Sequence, residues 1–123
     1  MELNPSQRRA VDHRDTHLLI VAGHGTGKTQ TLIYRIAQYI QHLDKNQKIL
    51  AITFTNKASR AMRDRLANLC PQELSHIFIG TFHQFCLSLL QKYAQYAVLP
   101  KDFRVAEPEE IEDLVKLLAS FNK

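Results

Sequence analysis

IVAGHGTGKT, residues 20–29, decides how the rest of this chain is read. It overlaps a continuous apolar run, LLIVA at residues 18–22, and it leads into a stretch with helical periodicity that begins near Lys28. Gly23, Gly25 and Gly27 let a backbone turn tightly and bring its N–H groups against phosphate oxygens. A helix opening at Lys28 would aim the positive end of its dipole at the same anion. Lys28 adds a point charge for β- and γ-phosphates, and the Thr29 hydroxyl is placed to ligate Mg²⁺. The strict pattern G-x-x-x-x-G-K-[ST] would begin with glycine at residue 22, where this chain has Ala22. His24 has no partner in the sequence and reads as a spacer at the loop tip. The alternative is a Gly-rich turn without a ligand, but a strand before and a helix after it are the context a phosphate loop requires. The expectation is a nucleoside triphosphate site.

The whole chain is 123 residues, enough for one modest domain. Hydrophobic residues make up 45% and charged residues 23%, a composition that excludes disorder and low complexity. No apolar run approaches the ~20 residues of a membrane helix, and the N-terminal residues lack the apolar stretch of a signal peptide. Cys70 and Cys86 form no metal or disulfide framework, so a cytosolic, reducing address fits. Residues 1–106 carry 14 Lys/Arg against 7 Asp/Glu, whereas residues 107–123 carry 2 against 5. A basic body permits a polyanionic partner without demanding one.

LLIVA at residues 18–22 and a second run, ILAITF at 49–54, are continuous rather than alternating, as in strands buried on both faces of a parallel sheet, and a third run is IFI at 77–79. A weaker run lies at residues 103–105. Between them fall amphipathic patterns: Leu32, Ile33, Ile36, Ala37, Ile40 and Leu43; then Ala58, Ala61, Met62, Leu66 and Leu69; then Phe82, Phe85, Cys86, Leu89, Leu90 and Tyr93. A last helix carries Ile111, Leu114, Val115, Leu118 and Phe121, with Pro108 in its first turn. Strands alternating with helices imply βαβ crossovers and a three-layer α/β fold in a single domain.

Three flanking segments narrow the class. In LNPSQRRAV, residues 3–11, Asn4, Pro5 and Gln7 form a capping-box pattern. Gln7 fits that structural role, and it equally fits a bidentate amide contact to adenine N6 and N7. In AITFTNKASRAM, residues 51–62, polar Thr53, Thr55, Asn56 and Lys57 gather at the carboxyl end of a strand, where open α/β sheets place ligands. Phe54 among them is either a core residue or an exposed platform for a base. Arg60, Arg63 and Arg65 follow and read as a solvated face. In GTFHQFCLSLL, residues 80–90, Thr81 and Gln84 again make a capping-box pattern, and His83 would stand at the same sheet edge as residues 55–57. His13, His17, His42 and His76 have no ligand spacing.

These segments resemble, in order and spacing, the N-terminal part of UvrD/Rep/PcrA-like superfamily 1 DNA helicases: LNPSQRRAV the Q motif, AGHGTGKT motif I, AITFTNKASRAM motif Ia and GTFHQFC motif Ib. VLPKDFRV at residues 98–105, with the acidic helix after it, is also similar to the family. The resemblance implies an α/β/α P-loop NTPase fold of RecA-like type with a mostly parallel sheet, incomplete within these residues. It implies ATP and Mg²⁺ as cofactors, held by Gln7, Ala22, Gly23, His24, Gly25, Thr26, Gly27, Lys28, Thr29, Gln30 and Arg35. Lys28 and Thr29 would take part in catalysis, with Thr29 on the metal. Phe54, Thr55, Asn56, Lys57, Thr81, Phe82 and His83 would line a path for single-stranded DNA. The family usually has a small residue at His24 and often arginine at Gln30.

The family's acidic motif II strand is absent from this sequence, because the one acidic cluster, residues 107–113, follows no buried run and reads as a helix start. The arginine fingers of the second motor domain are absent too, and phosphoryl transfer depends on such groups. Residues 1–123 are therefore expected to be the first part of motor domain 1A, ending near the 1B insertion. The parent would be an ATP-dependent helicase moving 3′ to 5′ on single-stranded DNA and acting at junctions with duplex. Its partners would be its own 1B, 2A and 2B parts, in a bacterial-type cytoplasm at the nucleoid and away from membranes. The fragment alone would bind nucleotide weakly without turnover. The alternatives are a native short module that binds nucleotide or single-stranded DNA, and a small nucleotide kinase, whose lid and substrate loops TFTNKA does not resemble.

Overall fold

The computed structural model describes residues 2–121. Within them the order is α1 (Pro5–Asp12), α2 (Lys28–Ile40), β1 (Ile49–Thr53), α3 (Asn56–Leu69), a 3-10 turn (Leu74–His76), β2 (Ile77–Thr81), α4 (Phe82–Lys92) and α5 (Pro108–Phe121). The chain divides into two compact units, Met1–Phe85 and Cys86–Lys123.

In the first unit β1 and β2 pair in parallel, from Ile49 opposite Ile77 to Thr53 opposite Thr81. With α3 between them they form one βαβ unit, the connection a parallel pair needs. Ala51, Ile77 and Ile79 from the strands pack with Ile33, Ile36 and Ile40 of α2 and with Met62 and Leu66 of α3. The 3.6-residue spacing read from the sequence therefore delivers both helices to one core. α1 begins in a complete capping box: Asn4 Oδ1 accepts from the Gln7 N–H at 2.8 Å, and Gln7 Oε1 accepts from the Asn4 N–H at 3.0 Å. Thr55 caps α3 by accepting from the Ala58 N–H.

Two expected strands do not form. Residues 18–22 carry no strand pairing, and Leu19 and Val21 are each 84% exposed. Residues 103–105 are likewise unpaired. A strand exists only through a ladder to a neighbour, and among the described residues neither segment is paired to one. The mixed helix–strand order with a parallel pair is that of a partial α/β P-loop fold.

In the second unit, α5 starts with Glu109 and Glu110, where acidic groups favour the helix dipole, and Glu110 pairs with Arg104 at 2.9 Å. Its apolar residues, Ile111, Leu114, Val115, Leu118 and Phe121, are all more than half exposed, so the predicted stripe is present but uncovered. No helix among the described residues is long and apolar enough to cross a membrane.

Candidate functional site

The phosphate-loop sequence takes the shape its residues demand. Gly25 and Gly27 adopt φ of 74° and 82°, a left-handed conformation that side chains disfavour. Gly27 is the N-cap of α2 and supplies no side chain to satisfy the first N–H groups of that helix, unlike Asn4 and Thr55 at the starts of α1 and α3. The unsatisfied donors and the helix dipole therefore face the loop, an arrangement suited to an anion. Thr26 Oγ1 donates to the Gly23 carbonyl at 2.6 Å, and Lys28 Nζ donates to the Ala22 carbonyl at 2.8 Å. One ammonium hydrogen is thus used within the loop and two remain for a ligand. Ala22 contributes to that bond with its carbonyl, which explains why glycine is not required there. Thr29 and Gln30 lie in the first turn of α2. His24 is exposed at the loop tip.

Beside the loop, Gln7 Nε2 donates to the Thr26 carbonyl at 3.2 Å. Gln7, Ala10, Ala22, Thr26, Lys28 and Thr31 line one cavity of about 200 Å³. Both roles open to Gln7 in the sequence are compatible with this geometry, because a side-chain amide has two N–H donors and two acceptor lone pairs. The capping box uses one lone pair and Thr26 one N–H, which leaves a donor–acceptor pair on the same amide. Arg35 does not line this cavity. Its Nη1 donates to the carbonyls of Ala10 and His13 at the end of α1.

The second cluster stands where β1 and β2 end side by side, since Thr53 is in register with Thr81. Phe54 is 99% exposed, so it is no core residue. Thr53 Oγ1 is hydrogen-bonded to Ser59 Oγ and donates to the Thr55 carbonyl, fixing the turn that presents Phe54. Asn56 and Lys57 follow in the exposed first turn of α3. On the neighbouring strand, the Thr81 N–H donates to Gln84 Oε1 at 2.8 Å and Thr81 Oγ1 accepts from the Gln84 N–H at 3.2 Å. This box sets Phe82 and His83, both exposed, at the start of α4. Gly80 is needed for it: a Cβ there would lie 2.9 Å from Gln84 Oε1 and 3.0 Å from the Phe78 ring.

The arginines of α3 are exposed, as read in the sequence, but two of them also bond to neighbouring segments. Arg63 Nη2 donates to the Ile79 carbonyl at 2.9 Å, and Arg65 bonds Gln30 Oε1. Asn56, Ser59, Arg60, Arg63 and Gln84 share a cavity of about 460 Å³. The signal for Arg63 was present in the spacing, because position 63 lies four after Ser59 and three before Leu66, both buried. Cys70 is 2% exposed, and burial, with the Glu73 carboxylate as a lesser cause, pushes its thiol above the ordinary range. Among the described residues no His, Cys, Asp and Glu gather as a metal cluster.

A glycine-turned loop feeding an uncapped helix beside a parallel βαβ unit defines the class as a P-loop α/β protein. Residues 3–123 match the UvrD/REP helicase N-terminal domain, and the chain belongs to that family. It is 36% identical over 115 residues to the ATP-dependent DNA helicase PcrA of Staphylococcus aureus (strain Mu50 / ATCC 700699), covering 93% of this chain and 16% of the relative. It is 38% identical over 118 residues to DNA helicase II of Salmonella typhimurium, covering 94% of this chain and 16% of that protein. The chain thus spans about one sixth of the length of these relatives.

Proposed function

We propose that this chain is the ATP-binding and part of the DNA-gripping portion of an ATP-driven DNA helicase. Residues 1–123 would belong to motor domain 1A. The observation that carries the reading is the uncapped α2 N-terminus behind the two left-handed glycines, with Lys28 and Gln7 in the same cavity. Backbone N–H groups from Gly23 to Gln30 and the Lys28 ammonium would hold the phosphates, and Gln7 would read the adenine edge. Mg²⁺, when bound, would neutralise charge on the phosphates, with the Thr29 hydroxyl at the helix start as its ligand from this chain. That position would suit a hard cation accompanying bound phosphate, because a hydroxyl oxygen stands directly after an anion cradle of N–H groups.

Phe54, Thr55, Asn56, Lys57, Thr81, Phe82 and His83 would form the track for single-stranded DNA, with Phe54 and Phe82 stacking on bases and the polar groups on phosphates. Translocation in the 3′ to 5′ direction, action at duplex junctions, cooperation with 1B, 2A and 2B parts, and a cytoplasmic, nucleoid-bound location belong to the same reading. Phosphoryl transfer needs acidic groups, and the loop, residues 20–29, contains none, so these residues alone would bind ATP weakly without turning it over.

Separate titrations of Mg-ATP and of a fluorescent single-stranded oligonucleotide test the two halves. Lys28→Ala should lose nucleotide and keep DNA, and Phe54→Ala should do the reverse. ATP affinity unchanged in Lys28→Ala would refute the nucleotide site.

A further inference from the structure

α1 has eight residues, too few to hold a helix on its own, and it carries Gln7. Its placement therefore depends on what ties it to the rest of the fold. At its start the tie is the Gln7 Nε2 bond to the Thr26 carbonyl of the phosphate loop. At its end Val11 is buried, and the polar ties come from arginines. Arg35 Nη1 donates to the Ala10 carbonyl at 2.8 Å and to the His13 carbonyl at 2.5 Å. Arg14 Nη1 takes the Val11 carbonyl at 2.7 Å and shares that of His13 at 2.8 Å. The last carbonyls of a helix have no partner within it and sit at the negative end of its dipole, so cations are favoured there.

Only Arg35 among these cations comes from another element. It stands on α2, and the Tyr39 ring of the same helix lies beneath both guanidinium groups, 6.0 Å from that of Arg35 and 5.1 Å from that of Arg14. Gln38 Nε2, on α2 as well, donates to Asp12 Oδ1 at 3.1 Å. Arg35 lies seven residues after Lys28, roughly 10 Å along the helix axis, and its donors turn away from the phosphate loop toward α1.

We propose that Arg35 is a positioning residue for base selectivity: it fastens the end of α1 to the phosphate-loop helix, so that Gln7 is held beside the loop and reads the nucleotide base, without itself touching nucleotide. The proposal rests on the nucleotide reading above. It separates two properties that a direct contact would merge. Phosphate affinity is set by the loop and Lys28, whereas base preference is set by the seat of α1.

The test measures dissociation constants for ATP, GTP and inorganic tripolyphosphate, each with Mg²⁺, on the full-length protein and its variants. Arg35→Ala should keep tripolyphosphate affinity within about twofold and lower the ATP-over-GTP preference by about tenfold, the scale of one bidentate pairing to a base edge. Gln7→Ala should show the same loss, and the double variant no further loss, because both changes remove one reading of the base. Arg35→Lys keeps the charge but sets a shorter side chain and an ammonium where the guanidinium Nη1 meets both carbonyls, and it should fall between Arg35→Ala and the unmodified protein. If Arg35→Ala does not fold, Arg35→Lys carries the comparison. Tripolyphosphate binding weakened as much as ATP binding, an unchanged base preference, or losses that multiply in the double variant would each overturn the proposal. Lys28→Ala is the control: retained nucleotide binding there would refute the site itself, whereas loss there with unchanged preference in Arg35→Ala would refute the positioning role alone.

Discussion

At the scale of single residues, exposure separates the roles of side chains that the sequence presents alike. Phe54 and Phe78 are both aromatic residues of the βαβ unit, yet Phe54 is 99% exposed while Phe78 packs edge-on against Phe85 at 5.5 Å. Phe54→Ala should therefore leave the thermal unfolding midpoint unchanged and weaken single-stranded DNA binding by about 1–3 kcal/mol, the range for one base–aromatic stack. A lowered midpoint with unchanged DNA affinity would assign Phe54 to the fold instead. Leu66 is the opposite case, fully buried in the core, and Leu66→Ala should cost about 2–5 kcal/mol in denaturant unfolding. Cys70 gives a pH signature. Its thiol ionises less readily in the folded chain than in the unfolded one. The associated stability is complete below the ordinary thiol range, near ~8.5, and is lost as pH rises through the higher folded value. Unfolding midpoints should fall on the alkaline side, and Cys70 should alkylate more slowly than the less buried Cys86.

Among the elements, helix starts were the most legible features, because a cap is a local pattern. Asn4 with Gln7 and Thr81 with Gln84 each form the bonds their spacing implies, whereas the cap that Thr55 gives α3 was not read from the sequence. The turn of the glycine loop was legible for a related reason: glycines at 25 and 27 suit the left-handed backbone found there. Residues 18–22 were misread, since an apolar run reports burial, and strand formation needs a neighbour that local sequence does not specify. The contacts of Arg35, Arg63 and Arg65 were also missed. Long cationic side chains reach carbonyls contributed by distant segments, and only the assembled fold brings those within range. Gly80→Ala tests one element junction directly. The added methyl should displace Gln84 from the Thr81 N–H and reduce both stability and DNA affinity, whereas a neutral outcome in both would mean that the box does not set the start of α4.

For the molecule as a whole, register is what joins the two halves of the site. The parallel pairing of Thr53 with Thr81 sets residues 54–57 beside residues 82 and 83, and α2, which the glycine loop leads into, packs in the same core. The excess of cations over residues 1–106 suits a polyanion along that edge, so DNA affinity should fall steeply with added salt, roughly 0.7 log units per log unit of salt for each phosphate contacted. A salt-insensitive interaction would argue against the track. The central claim, that one chain couples a nucleotide cradle to a DNA grip, is tested most directly by the ATP hydrolysis rate of the full-length protein with and without single-stranded DNA. Turnover should rise with DNA and vanish in Lys28→Ala. Turnover indifferent to DNA, or surviving in Lys28→Ala, would contradict it.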